Sequence, residues 1–484
     1  MSLSRILCVD LDGTFIKTDM FYESFFYCIF RNPLIIVFLL FWLITGGKVK
    51  LKEKLANRYC FTARNIPIND SVRTLILRKR SLGYKVFLVS ATYKTIVSNF
   101  FNSYQDLFDG YFGTDDVNLS SQRKAQFLNE KFGKGNYEYL GNSKDDIAVW
   151  NNCSYAYCVT QKNSIISKIE VNKEQVGQTQ QKKSFLESII IVIKQLRCHQ
   201  WAKNALIAVP VLSCAQILPI HNYFMIAIGI LSFSLIASSV YVINDIIDLD
   251  NDRAHKTKCN RPIASCKLSL IQAVILLACT LAVGMALSSI VSIKYLVLCL
   301  TYLLFNLLYS VKLKSVLILD CIVLSIMYTY RILIGSVIAD LSLSIWLLTF
   351  SFFIFLSLAF VKRYIELYKL SNSQNVKTKG REYEVKDLQL LQVMCVAAGF
   401  TAALILNLYF NDADIKIHFK NIYLAYTCLP ILVYWLCRFY FKASHGLICD
   451  DPIMFALKDK VSLILGFFFC VFYLLGINFS SNLL

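Results

Sequence analysis

The sequence predicts two structural classes in one chain: an N-terminal α/β domain built on a parallel sheet, and an all-α membrane bundle of nine transmembrane helices. Residues 1–160 alternate short apolar segments with polar, helix-like stretches, which is typical of α/β domains. Residues 186–484 consist largely of long apolar runs. The polar segment 161–185 between them has the composition of a linker. The overall composition agrees, since 56% of the residues are hydrophobic and only 17% are charged.

Four segments of the N-terminal part have the character of buried strands: RILCVDLDGT, GYKVFLVSAT, YEYLGNS and SYAYCVT. Because helix-like stretches separate them, the strands are expected to pair in parallel. An apolar run at 33–45 interrupts this pattern and is shorter than the ~20 residues that cross a bilayer. Its aromatic residues and basic flanks favour a helix that dips into the membrane surface, with a buried core helix as the alternative.

Nine apolar runs in the second part are candidates for transmembrane helices. The predicted spans are 204–220, 222–243, 268–290, 292–311, 315–338, 343–361, 388–410, 420–439 and 461–480. Lys and Arg concentrate in the loops after every second span, which places these loops and the N-terminal domain in the cytoplasm and the C-terminus outside. We therefore expect a multi-pass protein of a bacterial-type inner membrane.

The net charge of +18 follows the same topology. The basic residues are not collected on one soluble face, which argues against nucleic-acid binding. The 17 Cys show no C-x-x-C pair and no zinc-like spacing, and indicate reduced residues that face the cytoplasm or lipid. The first ten residues have the pattern of a buried strand, so no signal peptide is expected.

An acidic cluster follows the second predicted span, in the stretch YVINDIIDLDNDRAHKTKCNRPIAS at 241–265. The spacing places Asp245, Asp248 and Asp252 on one face of a helix. Carboxylates at a membrane boundary are costly unless a cation binds them, and Mg²⁺ prefers a few carboxylates together with substrate phosphate oxygens. The bases that follow can neutralise further phosphate charge. A solvated loop of ion pairs is the alternative interpretation.

Asn244 and these three acids form N-D-x-x-D-x-x-x-D, which resembles the first aspartate motif of the UbiA prenyltransferase superfamily. Members are nine-helix membrane enzymes that bind a diphosphate through Mg²⁺, for which Mn²⁺ can substitute. The resemblance implies that Asp245 and Asp248 are catalytic and that all three acids bind the metal. The second acidic motif, D-x-x-x-D, of members with aromatic acceptors is missing, because Asp320 has no acid four residues away.

Five further segments resemble the decaprenyl-phosphate phosphoribosyltransferase branch of that superfamily: LRCHQWAKN, NDRAHKTKCNRPIAS, YSVKLK, VKRYIEL with KGREYE, and DDPIMFALKDK. The resemblance implies transfer of phosphoribose from phosphoribosyl pyrophosphate to a polyprenyl phosphate, with metal-assisted departure of diphosphate. The substrate-binding residues that it implies are Arg197, Lys203, Asn204, Asn244, Arg253, Lys258, Arg261, Tyr309, Lys312 and Lys314.

Several of these positions have alternative interpretations. Lys312 and Lys314 can equally be charges that set the membrane topology. Asp450 and Asp451 can be ligands or a surface turn before Pro452. Which cations would hold the lipid phosphate and which the ribose phosphate stays open.

The segment VDLDGTFIKTD brings Asp10 and Asp12 to the end of a strand, beside a glycine-containing turn. With Ser90 in FLVSAT, Lys124 in SSQRKAQF and the segment YLGNSKDDI, it resembles the haloacid dehalogenase (HAD) phosphatase superfamily, whose domains have a Rossmann-like parallel sheet. The resemblance implies that Asp10 is the nucleophile and Asp12 the acid that protonates the leaving group. Ser90 and Lys124 would hold the phosphoryl group.

The same resemblance implies a Mg²⁺ site formed by Asp10, Asp12 and Asp146. One position departs from the family pattern, because Asn142 follows Gly141 where the family has Asp. An amide is a weaker Mg²⁺ ligand than a carboxylate. The domain is therefore expected to be either an active phosphatase or a degenerate, structural domain.

Three functions are compatible with these patterns. The leading hypothesis is a bifunctional enzyme that transfers phosphoribose to a polyprenyl phosphate and then removes the 5-phosphate from the lipid product. The alternative is prenyl transfer to an aromatic acceptor, with a degenerate or unrelated HAD domain. A transporter or channel is disfavoured, because the acids lie at the cytoplasmic ends of the predicted spans and not at the midplane.

Overall fold

The computed structural model describes residues 5–32, 34–115, 118–160, 162–176, 184–213, 218–342, 344–371, 381–417, 419–448 and 451–478. The chain divides into two compact units. Unit 1 comprises Met1–Leu196 and Tyr241–Leu277, and unit 2 comprises Arg197–Val240 and Ala278–Leu484. The predicted acidic cluster at 245–252 therefore belongs to the same unit as the α/β domain.

Unit 1 contains a six-stranded parallel sheet with the order β3-β2-β1-β4-β5-β6. Its strands are β1 (Ile6–Asp10), β2 (Lys85–Tyr93), β3 (Gly110–Thr114), β4 (Glu138–Gly141), β5 (Tyr155–Cys158) and β6 (Lys173–Gln175). All five residues of the central strand β1 are buried, as expected for a parallel sheet covered on both faces. The four predicted strands are confirmed. Sequence reasoning missed β3, and β6 lies in the segment expected to be a linker.

Eight helices accompany this sheet. They are α1 (Met20–Arg31), α2 (Ile35–Ala56), α3 (Asp70–Ser81), α4 (Lys94–Ser103), α5 (Gln122–Phe132), α6 (Ile147–Trp150), α7 (Asn163–Ile166) and α8 (Phe185–Leu196). Helices α1 and α2 lie in the connection from β1 to β2. Asp19 is the N-cap of α1, and its side chain accepts hydrogen bonds from the N–H groups of Phe21 and Tyr22.

Residues 35–45 of the apolar run form the first half of α2, and residue 33 lies outside the described residues. Ile35, Leu39 and Trp42 face a buried cluster with α1, at the spacing of one helical face. The other side chains of this half are exposed and apolar, and we call them the α2 face: Leu34, Ile36, Val37, Phe38, Leu40, Phe41, Leu43 and Ile44. The helix is interrupted at Gly46 and Gly47, where Gly47 adopts φ 61°. This half of α2 therefore has the exposed apolar surface expected of a helix that dips into a membrane.

The remaining helices are α9 (Val209–Ser213), α10 (Ile220–Ile247), α11 (Leu249–Ala254), α12 (Leu270–Val291), α13 (Ile293–Val311), α14 (Leu319–Ala339), α15 (Ile345–Ser371), α16 (Leu388–Asn411), α17 (Ala413–Lys416), α18 (Ile422–Tyr426), α19 (Cys428–Ser444), α20 (Pro452–Ala456) and α21 (Lys460–Asn478). In the described parts of the chain, eight helical segments are long and apolar enough to cross a membrane. They correspond to the second to ninth predicted spans. The multi-pass architecture is confirmed, and the expected count of nine is approximate.

The first predicted span, 204–220, has a different local structure. Its described part consists of a 3₁₀ helix at Cys198–Ala208 and the short helix α9, and residues 214–217 lie outside the described residues. The 3₁₀ segment packs closely on α14 at Gly335. A methyl group on Gly335 would lie 2.8 Å from the carbonyl carbon of Ile207. This close approach requires a residue without a side chain.

We expect Gly335→Ala to destabilise unit 2 by about 1–3 kcal/mol, because the added methyl group must displace backbone. Gly466→Ala is the matched control, since a methyl group at that helical position would meet no atom within 4 Å. Thermal unfolding of the two variants in detergent checks this prediction. Equal melting temperatures would contradict the close packing of the 3₁₀ segment on α14.

Candidate active sites

The carboxyl ends of the strands in unit 1 bring together a site that we call the β1 site, formed by Asp10, Asp12, Lys124 and Asp146. Lys124 of α5 is buried and donates a hydrogen bond to Asp10 Oδ1 at 2.6 Å. Its Nζ lies 3.5 Å from Asp146 Oδ1. Tyr139 of β4 accepts from Lys124 at 2.6 Å and donates to Asp146 Oδ1 at 2.7 Å. The predicted convergence of Asp10, Lys124 and Asp146 is thus present in the structure.

Asp12 lies in the turn after β1 and is held by three donors. Its Oδ1 accepts from the N–H group of Met20 at 2.8 Å. Its Oδ2 accepts from the hydroxyl groups of Ser90 at 2.9 Å and Thr92 at 2.6 Å. Gly13, with φ 68°, allows the turn. Ser90 was predicted to hold a phosphoryl group, and the structure places its hydroxyl on Asp12.

Two hydroxyl residues of this site were missed by sequence reasoning. Thr92 holds Asp12, and Thr14 donates to Asp10 Oδ2 at 3.1 Å. Both stand within the quoted segments, VDLDGTFIKTD and FLVSAT, at an even spacing from the predicted residues. Thr92 lies on β2, where even spacing from Ser90 places both side chains on the same side, and this signal could have found it. Thr14 lies in the turn after β1, where spacing carries no such signal.

Burial and charge act differently on the two buried acids. Burial raises the pKa of Asp10 to about 7, although the ammonium group of Lys124 acts in the opposite direction. Burial also opposes ionisation of Asp146, but Lys124, Tyr139 and backbone N–H groups outweigh it and hold the pKa of Asp146 below its usual value. Asp10 is therefore the acid of this pair that changes charge near neutral pH.

The donor set of the β1 site fits Mg²⁺ poorly. Asp146 Oδ2 accepts hydrogen bonds from the N–H groups of Asn142 and Ser143 and from the Ser143 hydroxyl, at 3.0 to 3.1 Å. Both oxygens of Asp10 and of Asp12 also accept hydrogen bonds. In the described residues, here and at residues 244–266 alike, no three His, Cys, Asp or Glu side chains are grouped as a metal site. The amide at position 142 adds to this misfit.

A second site in unit 1 is formed by residues 244–266, which we call the aspartate loop. Asp245 lies in the last turn of α10, and Asp252 lies in α11; both are buried. The helix is interrupted for one residue at Asp248, where ψ is 14°, while the N–H groups of Asp248 and Asp252 still bond to the carbonyl oxygens four residues earlier. Asp245 and Asp252 nevertheless meet at Arg261, whose Nη1 donates to Asp245 Oδ1 at 3.0 Å and to Asp252 Oδ2 at 2.5 Å.

A glutamine completes this arrangement. Gln195 at the end of α8 is buried, and its Nε2 donates to Asp245 Oδ2 at 2.9 Å. Its Oε1 is buried without a hydrogen-bond partner among the described residues. Two carboxylates and this unpartnered oxygen are the type of oxygen donor that Mg²⁺ prefers. Both oxygens of Asp245 accept hydrogen bonds here, from Arg261 and Gln195, so an ion bound by these residues would replace one of those donors. Sequence reasoning missed Gln195, because one polar residue in an amphipathic helix carries no spacing signal.

The other predicted residues of the aspartate loop differ in accessibility. Asn244 and Asp248 are half-buried, and Lys258 is exposed. Arg253, predicted to contact phosphate, is buried and bonded to Glu23 of α1. Burial raises the pKa of Asp252, against the opposing effect of Arg261. Arg261 is 29% exposed and still reaches solvent.

Predicted residues of unit 2 take part in internal pairs. Lys203 is buried and forms an ion pair with Asp451. Asp451 is also the N-cap of α20. Asn204 donates to Ser234 at 2.8 Å and accepts from Arg331 at 3.1 Å. Arg197 adopts φ 52°, and Asp450 lies outside the described residues.

Asp320, which lacks an acidic partner in sequence, pairs with a cation. It accepts hydrogen bonds from Arg363 Nε at 2.5 Å and from the Tyr383 hydroxyl at 2.6 Å. Arg363 also lies 3.5 Å from the hydroxyl of Tyr309 and was missed by sequence reasoning. A further pair of predicted cations flanks the end of α13. Lys312 there is exposed, and Lys314 is half-buried.

Comparisons with known proteins identify the second part of the chain. The model of the UbiA prenyltransferase family matches residues 205–449, about half of the chain. The uncharacterized protein y4nM of Sinorhizobium fredii is 32% identical over 464 residues, covering 95% of this chain and 89% of that protein. The chain belongs to the UbiA prenyltransferase family. A decaprenyl-phosphate phosphoribosyltransferase of Mycolicibacterium smegmatis is 28% identical over 57% of this chain and 88% of that protein.

The first part of the chain has the parallel sheet, with acids after β1, that the resemblance to HAD domains predicts, and we call it the HAD-like domain for that resemblance. A crystal structure of phosphoserine phosphatase in apo form can be superposed on 35% of this chain. The superposition includes 94% of the phosphatase chain, at 15% sequence identity and a TM-score of 0.27. The predicted UbiA domain is confirmed by the family match, and the parallel sheet agrees with the predicted α/β class of the first part.

The pKa of Asp10 leads to a prediction for hydrolysis of p-nitrophenyl phosphate. If Asp10 is the nucleophile, as the resemblance to HAD domains implies, it must be ionised, and with its pKa at about 7 the ionised fraction falls as the pH decreases below that value. We expect kcat/KM, which depends on the groups of the free enzyme, to level off above about pH 8 and to fall about tenfold per pH unit well below pH 7. Steady-state kinetics from pH 5 to 9 measure this. A kcat/KM that stays constant down to pH 5 would contradict the raised pKa.

Proposed function

We propose that the chain transfers 5-phosphoribose from phosphoribosyl pyrophosphate to a polyprenyl phosphate, and that its β1 site removes the 5-phosphate from the lipid product. The observation that carries the transfer proposal is the set of oxygen donors from Asp245, Asp252 and Gln195 next to the partly exposed Arg261. The 28% identity to a decaprenyl-phosphate phosphoribosyltransferase supports the choice of substrates.

The aspartate loop would bind the diphosphate. Asp245, Asp248 and Asp252 would hold Mg²⁺ or Mn²⁺, which neutralises the leaving diphosphate when bound. Arg261 keeps the carboxylates together, and its solvent-exposed portion can donate to a phosphate oxygen. Lys258 and Asn244 add a charge and an amide at the same loop. An oxygen of the lipid phosphate attacks the anomeric carbon as the bond from that carbon to the diphosphate breaks.

Residues of unit 2 would provide further phosphate contacts. Lys312 is exposed and needs no rearrangement to bind a phosphate. Lys203 would first have to separate from Asp451. The remaining residues proposed for substrate binding in this unit are Arg197, Asn204, Tyr309 and Lys314. The pairing of Asp320 with Arg363 and Tyr383 supports phosphoribosyl transfer over prenyl transfer to an aromatic acceptor, which would use a second acidic motif there.

The β1 site would hydrolyse the 5-phosphate. Asp10 attacks the phosphorus, the bond to the ribose 5-oxygen breaks, and Asp12 supplies the proton to that oxygen. Water then cleaves the aspartyl-phosphate and regenerates Asp10. Lys124 neutralises phosphate charge, and Ser90 and Thr92 hold Asp12 in place. We assign no step to Mg²⁺ here, because the donors present fit it poorly.

The proposed location is a bacterial-type inner membrane. The loops rich in Lys and Arg would place both sites in the cytoplasm and the C-terminus outside. The α2 face would bring the β1 site to the level of the lipid headgroups. Because both sites belong to unit 1, the β1 site would meet the transfer product at a high effective concentration.

We expect Asp245→Asn to abolish phosphoribosyl transfer, because it removes a carboxylate from the metal and diphosphate site. Purified protein in detergent is incubated with labelled phosphoribosyl pyrophosphate, polyprenyl phosphate and Mg²⁺, with and without EDTA. Asp250→Asn is the matched control, a half-buried acid of the same loop outside the motif. Transfer by Asp245→Asn at the wild-type rate, or full activity in excess EDTA, would refute the metal assignment.

The proposed second step predicts the product. Wild type should yield ribosyl lipid without the 5-phosphate, and Asp10→Asn should accumulate the phosphorylated lipid with transfer intact. Mass spectrometry of extracted lipids distinguishes the two products. Asp106→Asn, an exposed acid of the same domain, serves as control. The same phosphorylated lipid from wild type and Asp10→Asn would exclude this role of the β1 site.

A further inference from the structure

A buried ion pair joins the HAD-like domain to the aspartate loop within unit 1. Glu23 of α1 and Arg253 of α11 are 2% and 8% exposed. Arg253 Nη2 donates to Glu23 Oε1 at 2.6 Å, and Nη1 donates to Glu23 Oε2 at 2.9 Å. The hydroxyl of Tyr59 also donates to Glu23 Oε2, at 2.7 Å. The two partners are 230 positions apart in sequence, so this contact is purely tertiary.

Arg253 also organises the aspartate loop itself. Its Nε donates to the carbonyl oxygen of Ala264 at 3.2 Å, and its Nη2 lies 3.6 Å from Cys266 Sγ. It therefore ties α11 to the turn that follows Arg261. Asp252, which bonds to Arg261, is the adjacent residue in the chain.

All three nitrogens of the Arg253 guanidinium have partners inside the protein, and its side chain is only 3% exposed. It thus presents no free face to a substrate phosphate, in contrast to Arg261, which is 29% exposed. Removal of the acidic partner would leave the charge of the buried arginine uncompensated, which strongly destabilises the fold around it. The position of Arg253, and with it that of the loop, depends on Glu23.

We propose that Glu23 of the HAD-like domain is a positioning residue for the metal and diphosphate site of the transferase. Through Arg253 it fixes α11 and the turn after Arg261, so that Asp245, Asp252 and Arg261 converge. The HAD-like domain is then a structural component of the transferase site, independently of hydrolysis at Asp10. This inference rests on the metal and diphosphate role proposed for the aspartate loop.

The first test measures binding without turnover. Affinity for Mn²⁺ in the presence of inorganic pyrophosphate is measured by electron paramagnetic resonance, in an Asp10→Asn background so that the β1 site does not contribute. We expect Glu23→Gln to weaken this affinity by about tenfold, as is usual for residues that support metal ligands. Glu53→Gln is the matched control, because Glu53 is a partly exposed acid of α2 paired only with its neighbour Lys54.

The outcomes separate this inference from the proposed function. Unchanged affinity in Glu23→Gln overturns the positioning role. If wild type binds Mn²⁺ with pyrophosphate but transfers no phosphoribose, the proposed substrates are wrong and the positioning role is still decided by Glu23→Gln. Tyr59→Phe removes only one hydrogen bond to Glu23 and should give a smaller loss, which covers the case that Glu23→Gln does not fold.

A double-mutant cycle decides how Arg253 acts. If Glu23 works through Arg253, the variant with both Glu23→Gln and Arg253→Gln should lose no more affinity than Arg253→Gln alone. If the two residues act independently, with Arg253 on the phosphate itself, the two losses should multiply. Multiplying losses would overturn the inference and restore Arg253 as a substrate-binding residue.

Discussion

Each buried carboxylate that the structure describes in unit 1 has a cation within 3.5 Å. Lys124 serves Asp10 and Asp146, Arg253 serves Glu23, and Arg261 serves Asp245 and Asp252. A carboxylate without such a partner would bind a proton and become neutral, or would move to the solvent-exposed surface. The Lys124 and Arg253 pairs join elements that are distant in sequence, whereas Arg261 meets its two acids within one loop. Charge compensation therefore accompanies both long-range and local contacts at the candidate sites.

The accessibility of the cations distinguishes their roles. Arg253 uses all its guanidinium nitrogens inside the protein, whereas Arg261 satisfies two acids through one nitrogen and remains partly exposed. Two arginines eight residues apart in one basic stretch thus have different environments. The first stabilises the path of the loop, and the second can still meet an anion. Lys124 resembles Arg253 in burial, but its partners Asp10 and Asp146 lie at the carboxyl ends of parallel strands, where ligands bind in such sheets.

Periodicity in the sequence predicts the strands and the long apolar helices well, because each depends on local burial. The convergence of Asp10, Lys124 and Asp146 follows from motif order together with parallel strand pairing. Other features were not predictable in this way. The interruption of the helix at Asp248 has no signal in the spacing of the residues, and the pairing of Arg253 with Glu23 depends on tertiary contacts that spacing does not encode. The basic residues of one stretch cannot be distinguished by sequence alone, and only their different burial in the structure shows that their roles differ.

The ion pair between Glu23 and Arg253 gives the fusion of the two domains a physical reason beyond the proximity of two activities. Proximity alone would be satisfied by a flexible linker, which raises effective concentration without ordering either site. A fully buried bidentate pair requires a defined surface on both partners, and it is unfavourable if either partner is missing. The aspartate loop therefore needs an acidic partner for Arg253 in order to fold, and Glu23 of α1 provides it. The Glu23–Arg253 pair does not involve the residues of the β1 site. The HAD-like domain would therefore keep this structural role even if Asn142, which stands where the family has Asp, made the β1 site inactive.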